Sequence, residues 1–329
     1  MSAAAPAGPS QTRTSTPWRF LPETTIRTSG AFRGYAACRW VLATRSIGRP
    51  PAHPPDFGFH AGVFAVSSAT PVTPLAKANH LRARKGGLPI AALTAYDYPT
   101  ARLLDESGID VLLVGDSLGM VVLGFPDTTH VTLDHMLHHV AAVSRAKPRA
   151  LVLGDLPIHT YPDPETALET ARKLVAAGAE AVKLEGGIRQ AEKVRAIVGA
   201  GIPVIGHLGM LPQRVLEEGG YRKKGKTREQ ADALREGAEA LVEAGVSAIV
   251  FESIIPETAR QISSEIPVPT IGIGCGTGNC DGEIAVVTDL IGSYPWFVPP
   301  FAKLEADVAG TTRDAVKRYI ARVVRNGLV

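Results

Sequence analysis

Short, uninterrupted apolar runs recur along the chain from residue 89 onward, and four of them end on charged side chains. VLLVGDSLG closes on Asp116, ALVLGDLP on Asp155, AVKLEGG carries Lys183 and Glu185, and SAIVFES reaches Glu252. Runs that are apolar at both parities predict strands buried on both faces, as in parallel sheets. The helix-like stretches between them supply the crossovers that parallel pairing needs. The series starts at residues 89–97. After the run ending at Asp155 comes a predicted helix over 164–177, stopped by Gly178, then the run carrying Lys183 and Glu185. The fifth run, IPVIGHLG, ends near His207; a helix over 227–244 is stopped by Gly245; the sixth run reaches Glu252 and the seventh covers 268–274. WFVPPF, residues 296–301, is left as the eighth strand. Seven or eight such units in about 250 residues predict an α/β fold, a closed (β/α)8 TIM barrel. A doubly wound open sheet is the alternative, and it too gathers sites at strand C-termini.

Residues 1–75 break the pattern. They hold seven Arg, no Lys and two acids, Glu23 and Asp56, without sustained apolar periodicity. An Arg-rich, acid-poor leader reads as a mitochondrial transit peptide, with a disordered extension as the alternative. The leader carries +5 and residues 76–329 carry −2, so the basic balance of the whole chain belongs to the leader. The expected division is therefore a leader over 1–75 and one barrel domain over 76–329. No basic patch for nucleic acid remains, and no run reaches the 18 apolar residues of a spanning helix, so neither nucleic acid nor membrane is expected as a partner. The expected location is mitochondrial, or cytoplasmic if the leader is not a transit peptide. Three cysteines in 329 residues argue against a disulfide framework, and the Cys275 and Cys280 spacing is poor for zinc.

In a parallel barrel all strand C-termini open on one face, so the strand-end charges converge in one bowl. Asp116, Asp155 and Glu185 end successive strands. Crowded carboxylates repel, and a hard divalent cation resolves the conflict; an all-oxygen set with few protein ligands suits Mg²⁺. Helix capping is the plainer reading of each acid singly. Lys183 lies two residues before Glu185 and faces the same side of its strand. It is read as an anchor for an anionic substrate, or else as a strand-end ion pair. Glu252 ends a run two strands beyond, placed to move protons next to a carbonyl that a metal polarises, with the enolate stabilised by the same ion. His207 is read as a structural donor. The histidines at 135, 138 and 139 lie at helical spacing and are read as surface groups. Arg222, Lys223, Lys224 and Lys226 form either a solvated charge run or a mobile lid.

These residues fall within longer motifs: TAYDYPTA (94–101), VGDSLGMVVLG (114–124), GDLP (154–157), VKLEGG (182–187), PVIGHLGMLPQ (203–213), GGYRKKGK (219–226), FESIIPETA (251–259) and IGIG (271–274). Their order and spacing resemble the 3-methyl-2-oxobutanoate (ketopantoate) hydroxymethyltransferase family over about residues 72–320. The resemblance implies a barrel of the phosphoenolpyruvate mutase type that forms a homo-oligomer. It implies transfer of a hydroxymethyl group from 5,10-methylenetetrahydrofolate to 3-methyl-2-oxobutanoate, giving 2-dehydropantoate for pantothenate and coenzyme A biosynthesis. By motif, Asp116, Asp155 and Glu185 resemble the magnesium ligands. Asp116, Ser117, Asp155 and Lys183 resemble the substrate-binding set, and Glu252 the proton acceptor. The chain departs from the family pattern at Cys275, in a CGTGNCDG loop one residue longer, at Val287-Thr288-Asp289, and at Pro300. Two rivals follow: another Mg-dependent 2-oxo acid lyase or mutase on the same barrel, or a catalytically silent binding homologue.

Overall fold

The computed structural model describes residues 73–325. Apart from its last three residues, the expected leader lies outside the described residues. The chain enters through α1 (Pro74–Arg82), whose N-cap Thr73 accepts a hydrogen bond from Ala76 N–H. The apolar runs then form eight parallel strands that pair in chain order and close into a barrel. They are β1 (Ile90–Thr94), β2 (Val111–Val114), β3 (Leu151–Asp155), β4 (Ala181–Glu185), β5 (Val204–Gly209), β6 (Ala248–Glu252), β7 (Thr270–Ile273) and β8 (Gly282–Ala285). The connections carry α2 (Tyr98–Glu106), α3 (Leu118–Val121), α4 (Leu133–Ser144), α5 (Pro164–Ala177), α6 (Ala191–Gly199), α7 (Arg228–Glu243) and α8 (Pro256–Glu265). After β8 come the short α9 (Val287–Leu290) and α10 (Val308–Arg325). No described helix is long and apolar enough to cross a membrane.

Local chemistry sets the helix ends. Asp97, Asp163 and Thr227 cap α2, α5 and α7 by accepting main-chain N–H groups, and α5 stops at Gly178 with φ of 112°. Strand parity divides the core in two. One set of alternating residues, including Ile90, Val111, Leu151, Ile205, Val250 and Ile271, fills the barrel interior. The other, with Val152, Val182, Leu184, Ile249 and Phe251, packs outward against the helices. Each fully buried Leu, Ile or Phe contributes about 1.5–3 kcal/mol of transfer free energy, so both layers favour this register.

The eighth strand is not where it was expected. β8 is GEIA, and residues 296–301 form no strand. Pro299 and Pro300 have no N–H to give to a ladder, and Trp296, Phe297 and Phe301 stay exposed. β8 instead reaches β1 in register Ile90↔Gly282 and β7 in register Ile271↔Gly282. Asp281, just before it, fastens this seam. Its carboxylate accepts from Lys85 Nζ at 2.9 Å, Gly86 N–H at 2.9 Å and Thr270 N–H at 2.8 Å.

Candidate active site

The interior parity that is apolar at the bottom of the barrel turns ionic at the top. Continuing it upward gives Asp155 after Leu153, Lys183 and Glu185 after Ala181, His207 after Ile205, and Glu252 after Val250. Cross-strand pairing adds Asp155↔Lys183 and Glu185↔His207. All five groups, with Asp116 and Ser117, line one cavity of about 250 Å³ at the C-terminal mouth. Asp116 lies two residues past β2, and its main-chain N–H donates to Asp155 Oδ2 at 3.1 Å. Its own Oδ2 accepts from Gln213 Nε2 at 2.8 Å, and it caps no helix; the N-cap of α3 is Ser117, which makes no side-chain cap bond. Ser117 Oγ is 2.9 Å from the Tyr96 hydroxyl.

Lys183 Nζ lies 2.7 Å from Asp155 Oδ1, and both side chains are buried. Burial disfavours the ammonium, but Asp155, Glu185 and Asp116 outweigh it and hold the lysine protonated well above its ordinary range. Burial pushes the carboxyls of Asp116 and Asp155 up; repulsion from Asp155 and Glu185 adds to the shift at Asp116, and Lys183 opposes it at Asp155. Glu185 Oε2 accepts from Gln213 N–H at 3.1 Å, while buried Oε1 has no hydrogen-bond partner. Three acids thus share one pocket, but among the described residues no three ligating groups converge on a point that would hold a metal ion. Lys183 lies against Asp155 Oδ1, and Gln213 donates to Asp116 Oδ2 and Glu185 Oε2.

His207, read as a structural donor, lines the cavity among three charged side chains. Its Nδ1 is 3.3 Å from Lys183 Nζ and 3.5 Å from Glu185 Oε1, and its Nε2 is 3.2 Å from Glu252 Oε2. Burial and Lys183 lower its pKa, but Glu185 and Glu252 outweigh them and push it up to about 9. Strand parity, two residues after Ile205, aims it into the cavity. Gln213, which bridges Asp116 and Glu185 from the loop after β5, carried no such signal. Ser253 takes φ of 50° directly after Glu252, a left-handed conformation that costs a non-glycine residue about 1–3 kcal/mol. It is over-determined by two main-chain hydrogen bonds, Ser253 N–H to Ile273 O and Lys224 N–H to Ser253 O, each 2.8 Å. The basic run at 222–226, read as a solvated charge run or a mobile lid, is tied at Lys224 by its main chain. Of the surface histidines, His139 Nδ1 meets Tyr96 O at 2.6 Å and supports the backbone under Tyr96.

Residues 76–327 match the sequence profile of the family described as ketopantoate hydroxymethyltransferase. The chain belongs to the ketopantoate hydroxymethyltransferase family. The 3-methyl-2-oxobutanoate hydroxymethyltransferase of Ignicoccus hospitalis is 54% identical over 244 residues, 74% of this chain and 92% of the relative. That of Aeropyrum pernix is 53% identical over 244 residues, 74% of this chain and 88% of the relative. Among solved structures, 2,3-dimethylmalate lyase, a member of the PEP mutase/isocitrate lyase superfamily, aligns with a TM-score of 0.52 at 21% identity, covering 78% of this chain and 89% of the other. At that identity the likeness shows the fold alone, a closed (β/α)8 barrel. Membership of the hydroxymethyltransferase family makes the chain an enzyme, a transferase, and every motif quoted above lies inside the matched residues.

Proposed function

We propose that the chain transfers a hydroxymethyl group to 3-methyl-2-oxobutanoate, giving 2-dehydropantoate, with 5,10-methylenetetrahydrofolate as the one-carbon donor. Family membership supplies the reaction; the convergence of Asp116, Asp155, Lys183, Glu185, His207 and Glu252 in one cavity is the observation that carries its assignment to this site. Lys183 is held protonated deep in the barrel, as an anchor for an anionic 2-oxo acid requires. Glu252 stands at the rim with a freer carboxylate, its side chain 15% exposed, oriented by His207 Nε2. It takes the C3 proton, and the carbanion left at C3 then forms the new C3–CH₂ bond. Water supplies the hydroxyl oxygen and tetrahydrofolate leaves. A Lys183 imine is disfavoured because its neighbours keep the nitrogen charged.

Asp116, Asp155 and Glu185 fit a hard divalent cation such as Mg²⁺ by chemistry: the donors are all oxygen, buried Glu185 Oε1 accepts no hydrogen bond and has only His207 Nδ1 near it at 3.5 Å, and burial resists ionising the two aspartates uncompensated. When bound, the ion would polarise the 2-oxo group and acidify C3. A homo-oligomer is supported by α10, which buries no residue while Val316, Tyr319, Ile320 and Val324 repeat along one exposed side. The leader's composition supports mitochondrial import, and a fluorescent fusion of residues 1–75 that stays in the cytosol overturns it.

The test is product formation by the full chain with and without methylenetetrahydrofolate, and with and without chelator. Turnover of the oxo acid without the donor would favour the lyase or mutase reading. Binding without turnover would favour the silent one. Full activity in chelator would remove the metal.

A further inference from the structure

One acid in the cavity has no role in the chemistry above. Asp289 lies in α9, the turn after β8, on the side of the barrel opposite β4 in the closed strand order. The turn is pinned where it begins, because Val287 N–H donates to Thr94 Oγ1 at 2.9 Å and Asp289 N–H donates to Val286 O at 3.0 Å. The side chain is 6% exposed and lines the same cavity as Glu252. Among the described residues it has no hydrogen-bond or ion-pair partner, and burial alone pushes it up to about 6. A buried carboxylate without donors is costly, so a rigid turn that holds one against a cavity points to donors arriving with a ligand. Two further lining residues are partly open: Phe297 and Phe301 stay 56% and 44% exposed, although the Phe301 ring lies close to Gly274.

The oxo acid cannot be that ligand, since its own negative charge belongs with Lys183 and would be repelled by Asp289. The ligand has to be flat, to lie on aromatic rings, and has to present paired N–H donors on one edge. Of the two substrates in the reading above, on which this inference rests, only the folate has such a group. Its 2-amino-4-oxopyrimidine edge offers N3–H and the exocyclic amine side by side, matching the two oxygens of a carboxylate. We propose that Asp289 is the specificity residue for the one-carbon donor, its carboxylate accepting both N–H groups of the pterin while Phe297 and Phe301 cover the ring faces. Asp289 then sets which donor is taken and at what angle its methylene faces C3, and takes no part in proton removal.

The test uses the full chain and its Asp289→Asn variant. The variant keeps shape but turns an NH₂ toward the pterin donors. Expected is a rise of about 10- to 100-fold in KM for methylenetetrahydrofolate and in Kd for tetrahydrofolate, with C3 proton exchange of 3-methyl-2-oxobutanoate unchanged. A tetrahydrofolate analogue lacking the 2-amino group should bind the wild type as weakly as tetrahydrofolate binds the variant, and this arm needs no altered protein. An unchanged donor KM and Kd in the variant, or full affinity for the analogue, overturns the assignment. Loss of C3 exchange in the variant overturns it as well, because Asp289 would then serve the oxo acid. If the wild type neither binds tetrahydrofolate nor uses the donor, the folate reading itself fails and the assignment with it.

Discussion

At the residue scale, the division of work between Glu252 and Asp289 is open to direct test. Glu252→Gln keeps size and hydrogen bonding but removes the base. Transfer should fall by about 10²- to 10⁴-fold, together with C3 proton exchange followed by NMR in heavy water. Exchange at the wild-type rate would hand the proton to another group. Asp289 bears on stability through pH. Its pKa is raised from 3.8 to about 6 on folding, so the folded protein holds this proton more tightly than the unfolded chain. The fold is free of the penalty below pH 4 and loses stability as pH rises from about 4 to about 6. In the absence of folate, Asp289→Asn should match the wild type at pH 4 and exceed it above pH 6, by at most about 3 kcal/mol. A difference independent of pH would mean that Asp289 is not buried as a lone acid.

At the level of elements, four strand ends were legible in the sequence because those apolar runs terminate on a charge, and parity alone then aims the side chain. Lys183 and Glu185 share a face for that reason, and the same rule applied to Ile205 would have placed His207 with them. β8 was not legible. GEIA has four residues, one of them the exposed Glu283, and what makes it a strand is pairing to Ile90, nearly two hundred positions earlier. The aromatic run at 296–301, the weakest of the expected strands, forms none, and Pro299 and Pro300 have no N–H for a ladder. The junction of β5 and β6 gives the sharpest test at this scale. Gly209 pairs with Glu252 in register, takes φ of 104°, and a Cβ there would lie 2.1 Å from Glu252 O. Gly209→Ala should therefore shift the backbone that carries Glu252 and strain its own. Expected are a fall in Tm of about 4–10 °C and a loss of transfer larger than the loss of oxo-acid binding. Wild-type kcat in that variant would show that the strand end tolerates displacement.

On the scale of the whole molecule, the two ends of the barrel are different materials. The mouth holds charge that opposes folding, in Asp116 and Asp155 pushed up by burial. The bottom holds ion pairs that favour it: Lys77 spans Glu180, Pro148 O and Ala150 O, and Lys85 meets Asp281. Family and chemistry were legible from the mouth, since charged strand ends stand out against apolar runs. The bottom was not, because Lys77 meets Glu180 about a hundred positions on, and Lys85 meets Asp281 only after the chain has come full circle. Asp281 gives that closure a kinetic meaning. β8 can pair with β1 only across most of the domain's length, so this seam is the join with the greatest loop-closure cost. Its opening should be the barrel's least expensive excursion, with the Asp281 carboxylate as the clasp. Asp281→Ala should speed amide hydrogen exchange in β1, β7 and β8 well ahead of β4 and β5, turning a cooperative cylinder into a sheet that unzips from one edge. Uniform acceleration through all eight strands would show instead that the barrel has no seam, and opens everywhere or not at all.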